Sequence, residues 1–100
     1  MTRVGIVGAG RTRQGLGPFL ARAFEAAGCV VTGVAGRDAE GAQRAAVALT
    51  AQLGHEVAAL HDVLALARTV DLLVVAAPVG GHLAGLDAAL AAGIPCLCEK

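Results

Sequence analysis

Gly8 and Gly10 stand directly behind a short apolar run, Val4 to Val7, and a helical pattern opens near Gly15 to Gly17. Strand, glycine loop and helix in that order form a place where a pyrophosphate can bind. The first turn of a helix leaves backbone N–H groups without partners, and its dipole favours negative charge. A phosphate takes those N–H groups only where no side chain blocks its approach. Gly8 allows the tight turn and Gly10 the close approach. A strict G-x-G-x-x-G needs a third glycine at position 13, which is Arg13. The next glycines are Gly15 and Gly17, so the loop is two or more residues longer than the minimum. A plain glycine turn after a strand has the same appearance; what favours the phosphate reading is where the later segments fall.

Three further groups have types suited to the same ligand. Gly36 and Arg37 follow the second predicted strand, where the adenosine ribose of a dinucleotide lies. An NAD-selective site places Asp or Glu there to accept from the 2′-hydroxyl. Gly36 offers no carboxylate to repel a 2′-phosphate, and the Arg37 fork can pair with one. The plainer reading is a surface arginine beside a helix cap, with Asp38 as the cap. Ala77 and Pro78 close the fourth predicted strand. His82 opens the helix behind it, where helix-end donors disfavour its cation; a helix-start histidine facing water is the alternative. Glu99 and Lys100 come last, off the fifth strand. Within the glycine loop the Thr12 hydroxyl can add a donor. Arg11 either meets phosphate or adenine or remains, like Arg13, a solvated charge.

The elements that must hold these residues alternate along the chain. The first helix runs to about residue 27, with Leu16, Leu20, Ala23, Phe24 and Ala27 on one face and Gly28 as its left-handed cap. Residues 29–35, rich in β-branched types, predict the second strand. A helix over 39–53 buries Ala42, Ala45, Ala46, Leu49 and Leu53. A weak strand at 55–60 and a short helix at 61–68, with Val63, Leu64 and Ala67 inward, follow. Residues 71–77, DLLVVAA, form a continuous apolar run, the pattern of a parallel strand covered on both faces. A turn at 78–81 leads to a helix over 82–92 with Leu83, Leu86, Leu90 and Ala91 as its spine, then a strand at 94–99. The expectation is one α/β domain: a Rossmann-type doubly wound parallel sheet in the order 3-2-1-4-5 with right-handed crossovers. Ligands in such sheets bind outside the carboxyl ends of the strands at the switch point. Residues 8–12, 36–37, 77–82 and 99–100 all fall at those ends.

Composition narrows the classes. The 100 residues carry no net charge, are 56% apolar and include only Phe19 and Phe24 as aromatics. Scattered charge argues against nucleic acid or an anionic membrane as main partner. The apolar run from Leu72 to Cys98 is interrupted by Pro78, Gly80, Gly81, His82, Asp87, Gly93 and Pro95, too often for a membrane span. No signal peptide is visible, so a cytoplasmic protein is expected. Cys29, Cys96 and Cys98 have no metal-ligand spacing and form no disulfide framework; Cys96 and Cys98, two apart on a strand, share a face and read as reduced core thiols. His55 and His61 suggest no function. A P-loop NTPase lacks its Gly-Lys-Ser/Thr here, and a methyltransferase expects an acidic residue where Gly36 and Arg37 stand.

VGIVGAG at 4–10, VVTGVAGRDAEGAQRAA at 30–46 and VDLLVVAAPVGGHLAGLDAALAAGIPCLCEK at 70–100 together resemble the N-terminal domain of the Gfo/Idh/MocA oxidoreductases. The likeness covers essentially the whole chain. Its most specific part is a strand ending in Pro78, His82 four residues later, an alanine-rich helix, and a strand running into Glu99-Lys100. The resemblance implies NADP or NAD held by Gly8, Gly10, Arg11, Thr12, Gly36, Arg37, Ala77, Pro78 and Glu99, with NADP favoured by Gly36 and Arg37. It implies Glu99 at the nicotinamide-side ribose, and Lys100 and His82 as the catalytic residues, the lysine beside the reacting carbon. It implies oxidation of a secondary alcohol on a sugar, cyclitol or related polyol, or the reverse. The family's second α/β domain, which supplies the oligomer sheet and most of the substrate pocket, is absent from these residues. A homo-oligomer is the expected assembly, and the 100 residues alone are expected to bind cofactor without turnover. The sequence departs from the family in the lengthened loop at 11–15, in Val79 where a polar residue is common, and in ending before the motif's proline. A non-catalytic dinucleotide-sensing module is the competing reading.

Overall fold

The computed structural model describes the backbone of residues 1–8, 16–36, 39–76 and 79–98, and the side chains of these except 16–18 and 79–82. Strands and helices alternate as β1 (Arg3–Val7), α1 (Leu16–Ala26), β2 (Val30–Ala35), α2 (Ala39–Leu53), β3 (Ala58–Ala59), α3 (Val63–Ala67), β4 (Leu72–Val75), α4 (Val79–Ala92) and β5 (Cys96–Cys98). The strands form a five-stranded sheet in the order β3-β2-β1-β4-β5, and every pairing is parallel. This is the doubly wound order expected from the alternation.

The pleat divides the core in two. Val4 and Ile6 of β1 pack with Val31, Val34 and Val74 against Ala21, Ala45, Ala46 and Leu49 of α1 and α2. Val7 faces the other way, with Leu73 and Val75, towards Leu66, Ala67, Ala88 and Ala89 of α3 and α4. Burying each such Val or Leu contributes about 1.5–3 kcal/mol, so β1, covered on both faces, anchors the sheet. Val31 and Val34 are three apart yet enter the same core. The register explains it: Val4 pairs with Val31, but Gly5 pairs with Gly33. The extra residue in β2 is a bulge that resets the pleat.

Leu66 is fully buried in a socket made by two glycines. A Cβ on Gly5 would lie 2.8 Å from Leu66 Cγ, and one on Gly33 2.8 Å from Leu66 Cδ1. Asp62 starts α3 by accepting the Ala65 N–H at 2.6 Å, an N-cap that satisfies an orphan donor.

Four sequence expectations are corrected. In α4 the buried face is Gly85, Ala88 and Ala89, while Leu83, Leu86 and Leu90 are 68%, 47% and 82% exposed and Ala91 is exposed too. The helix lies so close to the sheet at Gly85, against Val75, that only small residues fit beneath it. The helix also begins at Val79, not His82, so the turn expected at 78–81 is helical from Val79 onwards. Packing of the small-residue stripe outweighs the low helix propensity of Gly80 and Gly81. In α1, Ala21 is the buried contact, flanked by Leu20 and Phe24, and Ala23 and Ala27 are exposed. The third strand is confined to Ala58–Ala59, the length over which β2 offers partners at Gly33 and Val34. Among the described residues, no helix is long and apolar enough to cross a membrane.

Candidate functional site

The carboxyl ends of three strands meet at one edge of the sheet. Val7 pairs with Ala35 of β2 and with Val75 of β4. One residue further on, the Gly8 N–H donates to the Ala35 carbonyl at 3.0 Å, and the Ala76 N–H donates to the Val7 carbonyl at 2.8 Å. These two bonds hold Gly8, Gly36 and Ala76 side by side. Gly8 has φ 89°, in the left-handed region that a residue with a Cβ enters only with strain. The chain therefore turns away from the strand at Gly8 with no side chain at the turn. Gly36 is different: a Cβ there would meet the backbone N of Ala42 at 3.5 Å, an ordinary contact. Packing does not require glycine at position 36, so room alone does not explain why no carboxylate stands there.

The N-terminal end of α4 comes to the same edge. Its first residue, Val79, lies four positions after the end of β4, which places His82 in the first turn. Cys98 of β5 pairs with Val75, so β5 ends level with β4. Of the expected site residues, the structure describes Gly8 and Gly36, at the neighbouring ends of β1 and β2, and the backbone of His82, in the first turn of α4. Gly10, Arg11, Thr12, Arg37, Ala77, Pro78, Glu99 and Lys100 lie outside the described residues, as does the His82 side chain.

The described ion pairs belong to the architecture. Arg3 grips Asp71 through its backbone N–H at 2.9 Å and its guanidinium at 3.2 Å, joining the amino ends of β1 and β4. The contact raises the Arg3 guanidinium and lowers the Asp71 carboxyl from their ordinary values. Glu25 accepts the Val31 N–H at 2.7 Å and faces His55 Nε2 at 2.9 Å. Burial alone would raise the Glu25 carboxyl, but the Val31 N–H and His55 hold it below the usual carboxylate range. His55 is raised by its bond to Glu25 and by the Glu56 carbonyl, against burial. His55 thus fastens α1 to the approach of β3. Among the described residues, no group of His, Cys, Asp and Glu could hold a metal ion. A groove of about 390 Å³ between α2 and β3, lined by Thr50, Glu56 and Val57 among others, lies at the outer edge of the sheet, away from the switch point. Sequence reasoning missed the ties from Gly8 to Ala35 and from Ala76 to Val7, because backbone bonds beyond a strand end leave no mark on residue type.

The family described as oxidoreductase family, NAD-binding Rossmann fold matches residues 2–100 through its GFO_IDH_MocA model. The chain belongs to the Gfo/Idh/MocA oxidoreductase family. This Gfo/Idh/MocA chain is an NAD-binding oxidoreductase domain. It is similar to UDP-N-acetylglucosamine 3-dehydrogenase from Acidithiobacillus ferrooxidans, with 32% identity and a TM-score of 0.73, over 99% of this chain and 29% of that one. It is also similar to a myo-inositol dehydrogenase from Corynebacterium glutamicum, with 28% identity and a TM-score of 0.75, over 100% of this chain and 28% of that one. An NAD binding oxidoreductase from Klebsiella pneumoniae shares 27% identity at a TM-score of 0.75, over 99% of this chain and 27% of that one. The chain thus spans well under a third of these solved relatives. No curated protein matches it.

Proposed function

We propose that residues 1–100 are the cofactor-binding part of an enzyme that moves hydride between NAD(P) and a secondary alcohol of a sugar, cyclitol or related polyol. The observation that carries this reading is Gly8, held at φ 89° beside the ends of β2 and β4, where a phosphate needs bare backbone. That edge fits a dinucleotide: two glycines and the N-terminal turn of α4 converge there. The polyol class is supported by similarity to a UDP-N-acetylglucosamine dehydrogenase and a myo-inositol dehydrogenase.

In this reading Gly8, Gly10, Arg11 and Thr12 take the pyrophosphate, and Ala77, Pro78 and Glu99 line the rest of the cofactor. Lys100 donates to the substrate oxygen, and His82 stands on the ligand side of α4. The bound cofactor supplies the hydride acceptor or donor, and the protein supplies position and electrostatics. A second domain beyond residue 100 contributes the substrate pocket, and the whole works as a cytoplasmic homo-oligomer.

The cofactor favoured is NADP. Gly36 places no carboxylate against a 2′-phosphate, although packing leaves room for a side chain, and Arg37 follows it. A charge-assisted contact from Arg37 is worth about 1.5–3 kcal/mol, which is roughly tenfold to a hundredfold in affinity. Titrating the intact protein and Arg37→Ala with both cofactors tests this. NADP weakens by that factor in the variant while NAD changes little. Equal loss for both, or a wild-type preference for NAD, contradicts the assignment. Tight binding with no turnover on any polyol favours the sensing module instead.

A further inference from the structure

His55 has both ring nitrogens against acceptors. Nε2 lies 2.9 Å from a Glu25 carboxylate oxygen, and Nδ1 lies 3.2 Å from the Glu56 carbonyl. A neutral imidazole carries one N–H and can donate to only one of them, whereas the imidazolium donates to both. We propose that His55 is a proton-operated latch, whose cation closes the β3 edge of the sheet against α1 and whose deprotonation loosens the segment leading into β3.

The segment that the latch holds is otherwise lightly tied. β3 meets β2 through Ala58 and Ala59 alone, and the Leu60 N–H adds one bond to the Val34 carbonyl at 2.9 Å. Before them, the Thr50 hydroxyl accepts the Val57 N–H at 2.9 Å. His55 supplies the tie to the other side. The Glu25 oxygen that faces it also accepts the Val31 N–H at 2.7 Å, so one carboxylate fastens the end of α1, the start of β2 and the approach to β3. A short outer ladder opens locally at lower cost than the centre of a sheet, so the loss of one bond and one charge is felt there. The Glu25 and His55 side chains are 23% and 33% exposed, against 46% and 55% for Asp71 and Arg3, so salt screens the latch less than that open pair.

Among the described residues, the charge that faces the ring is that of Glu25. On α1, Arg22 turns instead to Gln52 at 3.0 Å. Cys29, before β2, packs against the core. At the amino end of β1, Arg3 is held by Asp71, on which the Met1 amine also acts. Glu56 meets the ring through its carbonyl, and the last turn of α2 and β3 itself carry no titratable side chain. The Glu25 bond and the Glu56 carbonyl raise His55 against burial. Its contribution is therefore present in full below the ordinary histidine value and is lost as pH rises through its own, higher one. Burial pushes Glu25 up, but the Val31 N–H and His55 outweigh it and hold it low, so its contribution is lost only as pH falls through that lowered value. The latch is tightest between about pH 4.3 and 6.5 and opens on the alkaline side.

Ring-nitrogen NMR spectra of the isotope-labelled intact protein, recorded from about pH 5.5 to about pH 8.5 across the histidine range, test the inference. The His55 signals, identified by their absence in His55→Gln, are expected to titrate with a midpoint above the ordinary ~6.5, and the Val31 and Val57 amides to move with the same midpoint. Glu25→Gln still offers the Val31 N–H an oxygen but gives the ring no charge, and it brings the midpoint down. Hydrogen-exchange protection at Val57 and Leu60, corrected for base catalysis of exchange itself, falls across the same range in the wild type. It is low at every pH in His55→Gln, whose amide takes up no proton. A wild-type midpoint at or below ~6.5, a midpoint unmoved in Glu25→Gln, or wild-type protection at Val57 and Leu60 that ignores pH each overturn the proposal.

Discussion

Replacing Lys100 by Met in the intact enzyme is expected to lower kcat by about 10²–10⁴-fold, the usual worth of a positioned proton donor, while cofactor affinity changes little. The argument starts at β5. Cys98 pairs with Val75, so the strand delivers the chain at the same edge as Gly8 and the first turn of α4. Glu99 and Lys100 follow in the sequence, and the proposed function assigns the first to the cofactor ribose and the second to the substrate oxygen. Hydride leaves or reaches the carbon bearing that oxygen while charge changes on the oxygen. A lysine donor acts on that oxygen in the transition state, so its loss appears in kcat. Steady-state rates on inositols and sugar nucleotides, with cofactor titrations alongside, check this. An unchanged kcat, or a loss confined to cofactor binding, would remove Lys100 from the chemistry.

The second large effect is on stability. Gly85→Val is expected to destabilise the domain by about 3 kcal/mol, the upper end of the overpacking range. A Cβ at position 85 already collides with the Val75 side chain. Val75 is fully buried in β4, paired to β1 on one side and β5 on the other, so it has nowhere to move. The added methyl groups would push α4 off the sheet and tilt the turn that carries His82. At about 4–8 °C per kcal/mol for a domain of this size, the melting temperature should fall by roughly 12–24 °C. Gly28→Ala makes a useful contrast, because a Cβ there meets nothing within 4 Å and only the φ of 94° opposes it. A thermal melt of Gly85→Val that matches the wild type would show that α4 does not rest on this contact.

Much of the architecture was legible in residue order. Helix α2 occupies the expected 39–53, because the alanine and leucine stripe lies between a capping residue type at Asp38 and the stop at Gly54. The strand order followed from alternation and handedness. Helix α4 shows where such reading fails. Leu83, Leu86 and Leu90 have helical spacing, and so do Gly85, Ala88, Ala89 and Ala92; periodicity cannot choose between the two stripes. The depth at which the helix docks made the choice, and that depth depends on the Gly85–Val75 contact across the chain. The β2 bulge and the Leu66 socket were hidden for the same reason: each depends on residues far apart in sequence. At the site, the turn at Gly8 was legible because a sharp exit from a strand needs glycine, and its φ is 89°. The roles of residues 10–12, 37, 77–78 and 99–100 rest on the family resemblance, and these positions lie outside the described residues.

The central claim is that a dinucleotide lies against Gly8 at the carboxyl edge of the sheet. Backbone amide spectra of the isotope-labelled protein, recorded through a titration with NAD(H) and NADP(H), test it most directly. The account predicts saturable shifts at Gly8, Gly36 and the first turn of α4, with Arg3 and Asp71 at the opposite end unmoved. Shifts centred on the α2–β3 groove or on the amino ends of the strands, or none at saturating cofactor, would contradict it.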